Sequence, residues 1–194
     1  NRNYQWVPSN IWVGIGRMKS KEVIFPLEPL YKRKGIGYKQ AKAISFHPEG
    51  DATETKGFVT IEYIFGKNAG VQEKVNYDYL INATGPKLAF ELTEGLNPGT
   101  NKAYSVCTYE HAAHASEALL KLIGDIKTSD KKAKILIGTG HAKATCQGAA
   151  FEYILNVEKE LVRYGVRDKI ELTWISNENE LGDFGMDGML LTYG

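Results

Sequence analysis

The chain has 194 residues, with 24 Lys+Arg against 23 Asp+Glu for a formal net charge of +1, and is 43% apolar and 24% charged. Such a length buries a real core in one or two domains, which excludes a disulfide-stapled miniature, and the composition lies far from the disordered regime. The balanced charge leaves no cationic excess to neutralise a row of phosphates, so nucleic acid is not an expected partner.

Only Cys107 and Cys146 carry thiols, and they form no Cys-x-x-Cys, so they make neither a disulfide framework nor a zinc ribbon. No run approaches the roughly 20 apolar residues that cross a bilayer, and Asn1-Arg2-Asn3-Tyr4 lacks the profile of a signal peptide. A start at Asn and a stop at Leu191-Thr192-Tyr193-Gly194, just after a Gly-rich turn, read as a piece of a longer protein.

From the start, Trp6 to Gly16 is apolar but broken by Pro8 and Gly14, which predicts a packed loop with a short helical turn. Pro26 and Pro29 precede a helical stretch at about 30–34 that Gly35 closes, and a strand is expected over 36–46. His47-Pro48-Glu49-Gly50-Asp51 is a turn, which puts His47 at the surface. The β-branched and aromatic run 58–65 is a strand. Residues 73–79 alternate polar and apolar before a buried-looking Tyr79-Leu80-Ile81, which completes a small antiparallel meander feeding into Asn82-Ala83-Thr84-Gly85-Pro86. Residues 91–102 lack periodicity and read as a connection.

Ala112, Ala115, Leu119 and Ile123 share one face of a helix over 108–123. Lys134 to Gly138 is a buried-strand pattern, followed by a Gly-rich turn, a helix over 145–164 with Gly165 as its stop, and a strand over 170–175. Strand, helix and strand in this order make a βαβ unit, and the chain is α/β.

Several residues can carry chemistry. The turn Gly138-Thr139-Gly140-His141-Ala142-Lys143 has the first two glycines of a dinucleotide fingerprint, but Lys143 stands at the third, and Ser176-Asn177 replaces the acid at the end of the following strand. It is either a defective NAD site or a βαβ turn that keeps only the fold. Cys146 opens the next helix, where backbone N–H groups and the positive end of the helix dipole stabilise a thiolate. Cys107 is followed by His111 and His114 at spacings that place all three on one helical face, and a His beside a thiol can take its proton. Cys107 is alternatively an inert core thiol, and His114 a surface residue. Cys107, His111, His141 and Cys146 could hold zinc, but their spacings are not those of structural zinc modules, so no metal is expected. In Asn82-Ala83-Thr84-Gly85, small residues at the carboxyl end of a strand let backbone approach a ligand closely.

Four segments occur in the order found in sulfide:quinone oxidoreductases: Trp6 to Gly14 (WVPSNIWVG), Tyr77 to Leu88 (YDYLINATGPKL), Ser105 to Thr108 (SVCT) and Cys146 to Tyr153 (CQGAAFEY). The chain resembles this family along nearly its whole length. These are flavoproteins of the two-dinucleotide-domain disulfide-reductase superfamily, so the resemblance implies partial Rossmann-like FAD/NAD(P)-binding domains with the meander inserted. Residues 1–106 then belong to the FAD-binding domain, and 107–194 hold a connecting helix and the start of the second Rossmann-like domain.

The resemblance also implies FAD as cofactor, with sulfide attacking a cysteine disulfide to give a persulfide and two electrons passing through the flavin to quinone. Cys146 would be one member of the redox pair, Cys107 an additional cysteine near the flavin, and His111 a group near the sulfide side. Pro8, Ser9, Asn10, Ala41, Ala83, Thr84, Gly85 and Pro86 would be flavin contacts. A homo-oligomer on the surface of a prokaryotic cytoplasmic membrane follows, docked through segments outside this chain.

The first strand and its Gly-rich loop should precede Asn1, and the second redox cysteine should follow Gly194, so the 194 residues alone should be inactive and, with an apolar groove along Trp6 to Gly16 left empty, self-associated. Asp183 stands where several members have His. Alternatives are a flavocytochrome c sulfide dehydrogenase, a type II NADH:quinone reductase, or a redox-silent relative.

Overall fold

The computed structural model describes residues 2–100, 103–141, 144 and 146–178. It is a mixed α/β chain with small sheets, and its contacts divide it into two compact units. The first comprises Asn1–Tyr4 and Phe25–Lys87, the second Gln5–Ile24 and Leu88–Gly194. Strands β1 (Asn3–Gln5) and β2 (Ile24–Pro26) pair with each other in a two-stranded sheet.

In the first unit, extended Pro26 starts helix α2 (Leu27–Arg33), and Pro29 falls in its first turn, where a missing N–H breaks no intrahelical bond. The helix therefore begins earlier than the Leu30 expected from the sequence. Strands β3 (Ala41–His47), β4 (Phe58–Tyr63) and β5 (Gln72–Asn76) form an antiparallel sheet in that order, with Phe46 opposite Val59 and Phe58 opposite Asn76. This is the expected meander.

The strand expected from Ile36 starts only at Ala41. Gly35 adopts φ +68°, and the Ile36 N–H donates to the Tyr31 carbonyl at 3.0 Å, which turns the chain back on the helix end. A second correction concerns Tyr79-Leu80-Ile81, which forms no strand and is not buried: Tyr79 is 94% and Ile81 88% exposed. No ladder among the described residues pairs with this segment, and an extended chain without a ladder cannot bury its backbone. His47 departs too, since it is half-buried at the end of β3, stacked on Phe58 at 4.4 Å between ring centroids.

The loop between β3 and β4 is closed by Asp51. One carboxyl oxygen accepts from the Thr53 N–H and hydroxyl at 2.8 Å and the Glu54 N–H at 2.9 Å, while the other meets Lys74 Nζ at 2.7 Å. The Lys74 ammonium, then the Thr53 bonds, hold this carboxyl well below the usual carboxylate range.

In the second unit, a 3-10 turn (Val7–Ser9) leads into the short helix α1 (Asn10–Gly14), which packs on helix α3 (Tyr109–Lys127) and also touches helix α4 (Gln147–Arg163). Strands β6 (Ala133–Gly138) and β7 (Ile170–Ile175) pair in parallel, Ala133 with Ile170 through Gly138 with Ile175, and α4 joins them as the expected βαβ unit. On α3 the apolar stripe continues through Ile126, so the helix runs past the expected end at Ile123. Leu119, Ile123 and Ile126 meet Val157 and Leu161 of α4, with Val166 and Ile170 completing the core. Within it the Glu160 carboxylate is buried and paired with Arg17 Nε at 2.7 Å and Arg163 at 3.5 Å.

Candidate active site

Cys146 is the N-cap residue of α4 and is exposed, so its thiol sits at the helix opening, as expected. Ala142, Lys143 and Thr145 of the preceding turn lie outside the described residues, as does Asp183.

Cys107 is not on the face of α3 with His111 and His114. Thr108 is extended (φ −124°, ψ 159°) and caps the helix, its hydroxyl accepting from the His111 N–H at 3.2 Å. Cys107 is therefore outside the helix, exposed rather than a core thiol, with its N–H bonded to Ser105 Oγ at 3.0 Å. His111 lies in the first turn, half-buried, edge-on to Phe90 at 5.6 Å; its Nδ1 is shielded and has no partner among the described residues. His114 is exposed, as read from the sequence.

Pro8 lies exposed in the 3-10 turn, Ser9 is half-buried, and Asn10 at the start of α1 is fully buried. Neither Nδ2 nor Oδ1 of Asn10 has a partner among the described residues. A buried amide left unpaired is costly, so this side chain marks a place where a polar group is called for.

Gly14, at the other end of α1, ties the thiol-bearing segments to this helix. A Cβ there would fall 2.8 Å from Val106 Cγ1 and 2.9 Å from Tyr153 Cε2, and the Tyr153 hydroxyl donates to the Gly14 carbonyl at 3.1 Å. Val106 is the neighbour of Cys107, and Tyr153 stands on the helix that Cys146 opens. One glycine thus packs against the neighbour of Cys107 and against the helix that Cys146 opens.

The remaining expected flavin contacts belong to the first unit. Ala41 is half-buried at the start of β3, opposite Tyr63, while Ala83, Thr84, Gly85 and Pro86 are exposed. Asn82 Oδ1 accepts from the Thr84 hydroxyl at 3.0 Å and N–H at 3.3 Å, and Gly85 adopts φ +75°, so the segment is an Asx turn rather than a strand end. Among the described residues no three His, Cys, Asp or Glu side chains gather to hold a metal ion, and Cys107, His111, His141 and Cys146 do not form such a group.

No family model matches the chain. A sulfide-quinone reductase of Aquifex aeolicus (strain VF5) is 30% identical over 186 residues, covering 96% of this chain. The chain is similar to a sulfide-quinone reductase. In three dimensions it matches the X-ray structure of the sulfide:quinone oxidoreductase from the hyperthermophilic bacterium Aquifex aeolicus, with a TM-score of 0.69 and 29% identity over 95% of this chain. It spans 37% of that relative, in sequence and in structure.

Around the candidate residues, the contacts that the sequence did not single out are those of Phe90 with His111, Leu96 with Gly140 and Tyr153 with Gly14. Phe90 and Leu96 lie in the stretch 88–100, which has no periodicity to mark them. Tyr153 sits in an ordinary helical pattern, where only the close approach of Gly14 reveals its partner.

Proposed function

We propose that the chain is part of a sulfide:quinone oxidoreductase that oxidises sulfide through a cysteine persulfide and delivers two electrons to quinone. The match along 96% of the chain to a sulfide-quinone reductase carries this reading, and the exposure of both thiols fits it. FAD would supply the two-electron relay between sulfide and quinone. The buried, unpartnered amide of Asn10 beside the Pro8-Ser9 turn suits a polar heterocycle, and the open backbone of Ala83 to Pro86 suits close approach; Pro8, Ser9, Asn10, Ala41 and Ala83 to Pro86 would hold the group.

In this reading Cys146 carries the sulfur that sulfide attacks, its partner being a cysteine outside the 194 residues. Its exposed place ahead of α4 leaves it open to a small anion. Cys107 offers a further thiol, and His111, with its shielded and unpartnered Nδ1, would stand near the sulfide side. Residues 1–106 would belong to a FAD-binding domain, and 107–194 would hold a connecting helix and the start of a second Rossmann-like domain.

Attachment to a prokaryotic cytoplasmic membrane would depend on segments outside this chain, and the whole protein would be a homo-oligomer; among the described residues no helix is long and apolar enough to cross a membrane.

The test is the anaerobic absorbance spectrum of the full-length gene product, first with sulfide and then with a soluble quinone. Flavin bands that bleach with sulfide and return with quinone support the reading, and Cys146→Ser should then abolish the bleaching. Sulfide-dependent bleaching retained in that variant overturns the role of Cys146. Bands that ignore sulfide but bleach with NADH would move the chain to the NADH:quinone reductases.

A further inference from the structure

The segment after α1 runs along the groove between α3 and α4. Gly14 accepts from the Tyr153 hydroxyl of α4, a Cβ on Gly16 would fall 3.1 Å from Leu120 and Ser116 of α3, and Arg17 Nε donates to the Glu160 carboxylate at 2.7 Å. Past Arg17 the chain turns away, the Met18 N–H donating to the Trp12 carbonyl at 3.1 Å. The groove itself continues. Eleven residues make about three helical turns, so Lys127 shares a face of α3 with Ser116, and Tyr164, at the end of α4, shares one with Tyr153. Gly124 lies on this further stretch, and a Cβ there would meet nothing within 4 Å.

Three cations gather at this end. The buried Glu160 carboxylate meets Arg17 at 2.7 Å and Arg163 Nη1 at 3.5 Å. Arg163 and Lys127 both lie over the Tyr164 ring, 5.0 and 5.3 Å from its centroid. Among the described residues Lys127 Nζ has no hydrogen-bond acceptor, and Arg17 uses only its Nε. Elsewhere in this unit the ion pairs are one to one: Lys121 with Asp125, Lys134 with Glu171 and Arg167 with Glu158. The negative ends of α3 and α4 account for Lys127 and Arg163 taken singly. Arg17 comes from a loop, and with it two positive charges exceed what the one carboxylate offsets.

We propose that Arg17, Arg163 and Lys127 form a binding site for a phosphate-bearing dianion at the open end of the α3/α4 groove. A guanidinium presents paired donors to phosphate oxygens, and the ammonium adds a point charge. The buried carboxylate holds both arginines in place beforehand, so little side-chain freedom is lost when the anion arrives. A dianion offsets the two excess charges. The site lies at the far end of α4 from Cys146, and it holds whatever the electron donor of the whole protein is. The same phosphate chemistry is offered by a small soluble anion and by a lipid headgroup, which the experiment separates.

The full-length holoprotein is titrated at low ionic strength with inorganic pyrophosphate by calorimetry, and in parallel sedimented with phosphatidylcholine vesicles containing phosphatidic acid. Saturable binding is expected, weakened roughly fivefold or more in Lys127→Gln and in Arg163→Gln, which leave the pair of Arg17 with Glu160 intact. Pyrophosphate binding that the variants weaken supports the site with a soluble anion as its ligand, and vesicle binding that they weaken supports it with a lipid headgroup. No saturable binding in either arm, or binding that neither variant weakens, overturns the proposal. Should both variants fail to fold, the Arg17 and Arg163 Nε–H resonances of the wild type decide: a saturable shift with either ligand supports the site, and unmoved signals overturn it.

Discussion

Ile135-Leu136-Ile137 in the second unit and Tyr79-Leu80-Ile81 in the first are apolar runs of similar length. β6 pairs in parallel with β7 along its whole length, and Ile135 and Ile137 pack on the core that α3 and α4 complete, while Leu136 on the other face is 63% exposed. Tyr79-Leu80-Ile81 has no ladder among the described residues and stays exposed. Apolar character states a demand for burial; a hydrogen-bonded neighbour and a covering helix decide whether it is met. β6 meets the demand on one face and the second run on neither.

The largest effect that tests this contrast is expected at Leu161, fully buried between α3 and α4. Leu161→Ala should cost about 2–5 kcal/mol by urea denaturation, and a loss below about 1 kcal/mol would mean that this core is loosely packed. Gly14→Ala comes next, since its methyl would meet Val106 and Tyr153 at less than 3 Å. A loss of about 1–3 kcal/mol is expected, and a neutral variant would separate α1 from the cysteine segments.

Within the first unit, Lys74→Ala should raise the Asp51 pKa toward the ordinary carboxylate value, read by carboxyl-carbon NMR titration. The sign follows from the depressed carboxyl: its stabilising contribution is full above the unfolded value of about 4 and is lost as pH falls through the folded value. An unchanged Asp51 titration in Lys74→Ala would remove the lysine as its cause. The smallest effect belongs to Tyr79→Ser, within about 0.5 kcal/mol for a side chain this exposed. A loss above about 1 kcal/mol would show that the run is packed against something in solution.

The local patterns were legible where their partners lie in the same stretch of chain. The meander, the stripe Ala112 to Ile123, the parallel βαβ unit and the place of Cys146 all follow from short-range periodicity and Gly or Pro punctuation. What escaped depends on contacts distant in sequence or on a single cap. Thr108 takes the cap that keeps Cys107 off the helix, and the spacing of Cys107 to His111 cannot show this. Leu96 on Gly140 and Val106 on Gly14 are meetings across 44 and 92 positions, with no trace in either local pattern.

Tyr153 carries a consequence of its own. Desolvation pushes its phenol well above the ordinary value while its hydroxyl is bonded to Gly14. In an alkaline scan of ultraviolet absorbance, its tyrosinate should appear late, as α1 and α4 separate. Tyr38 and Tyr109 are shifted upward as well, so the Tyr153 signal is the one that a Tyr153→Phe variant removes from the scan, and it reports on the contact between α1 and α4 without an attached dye.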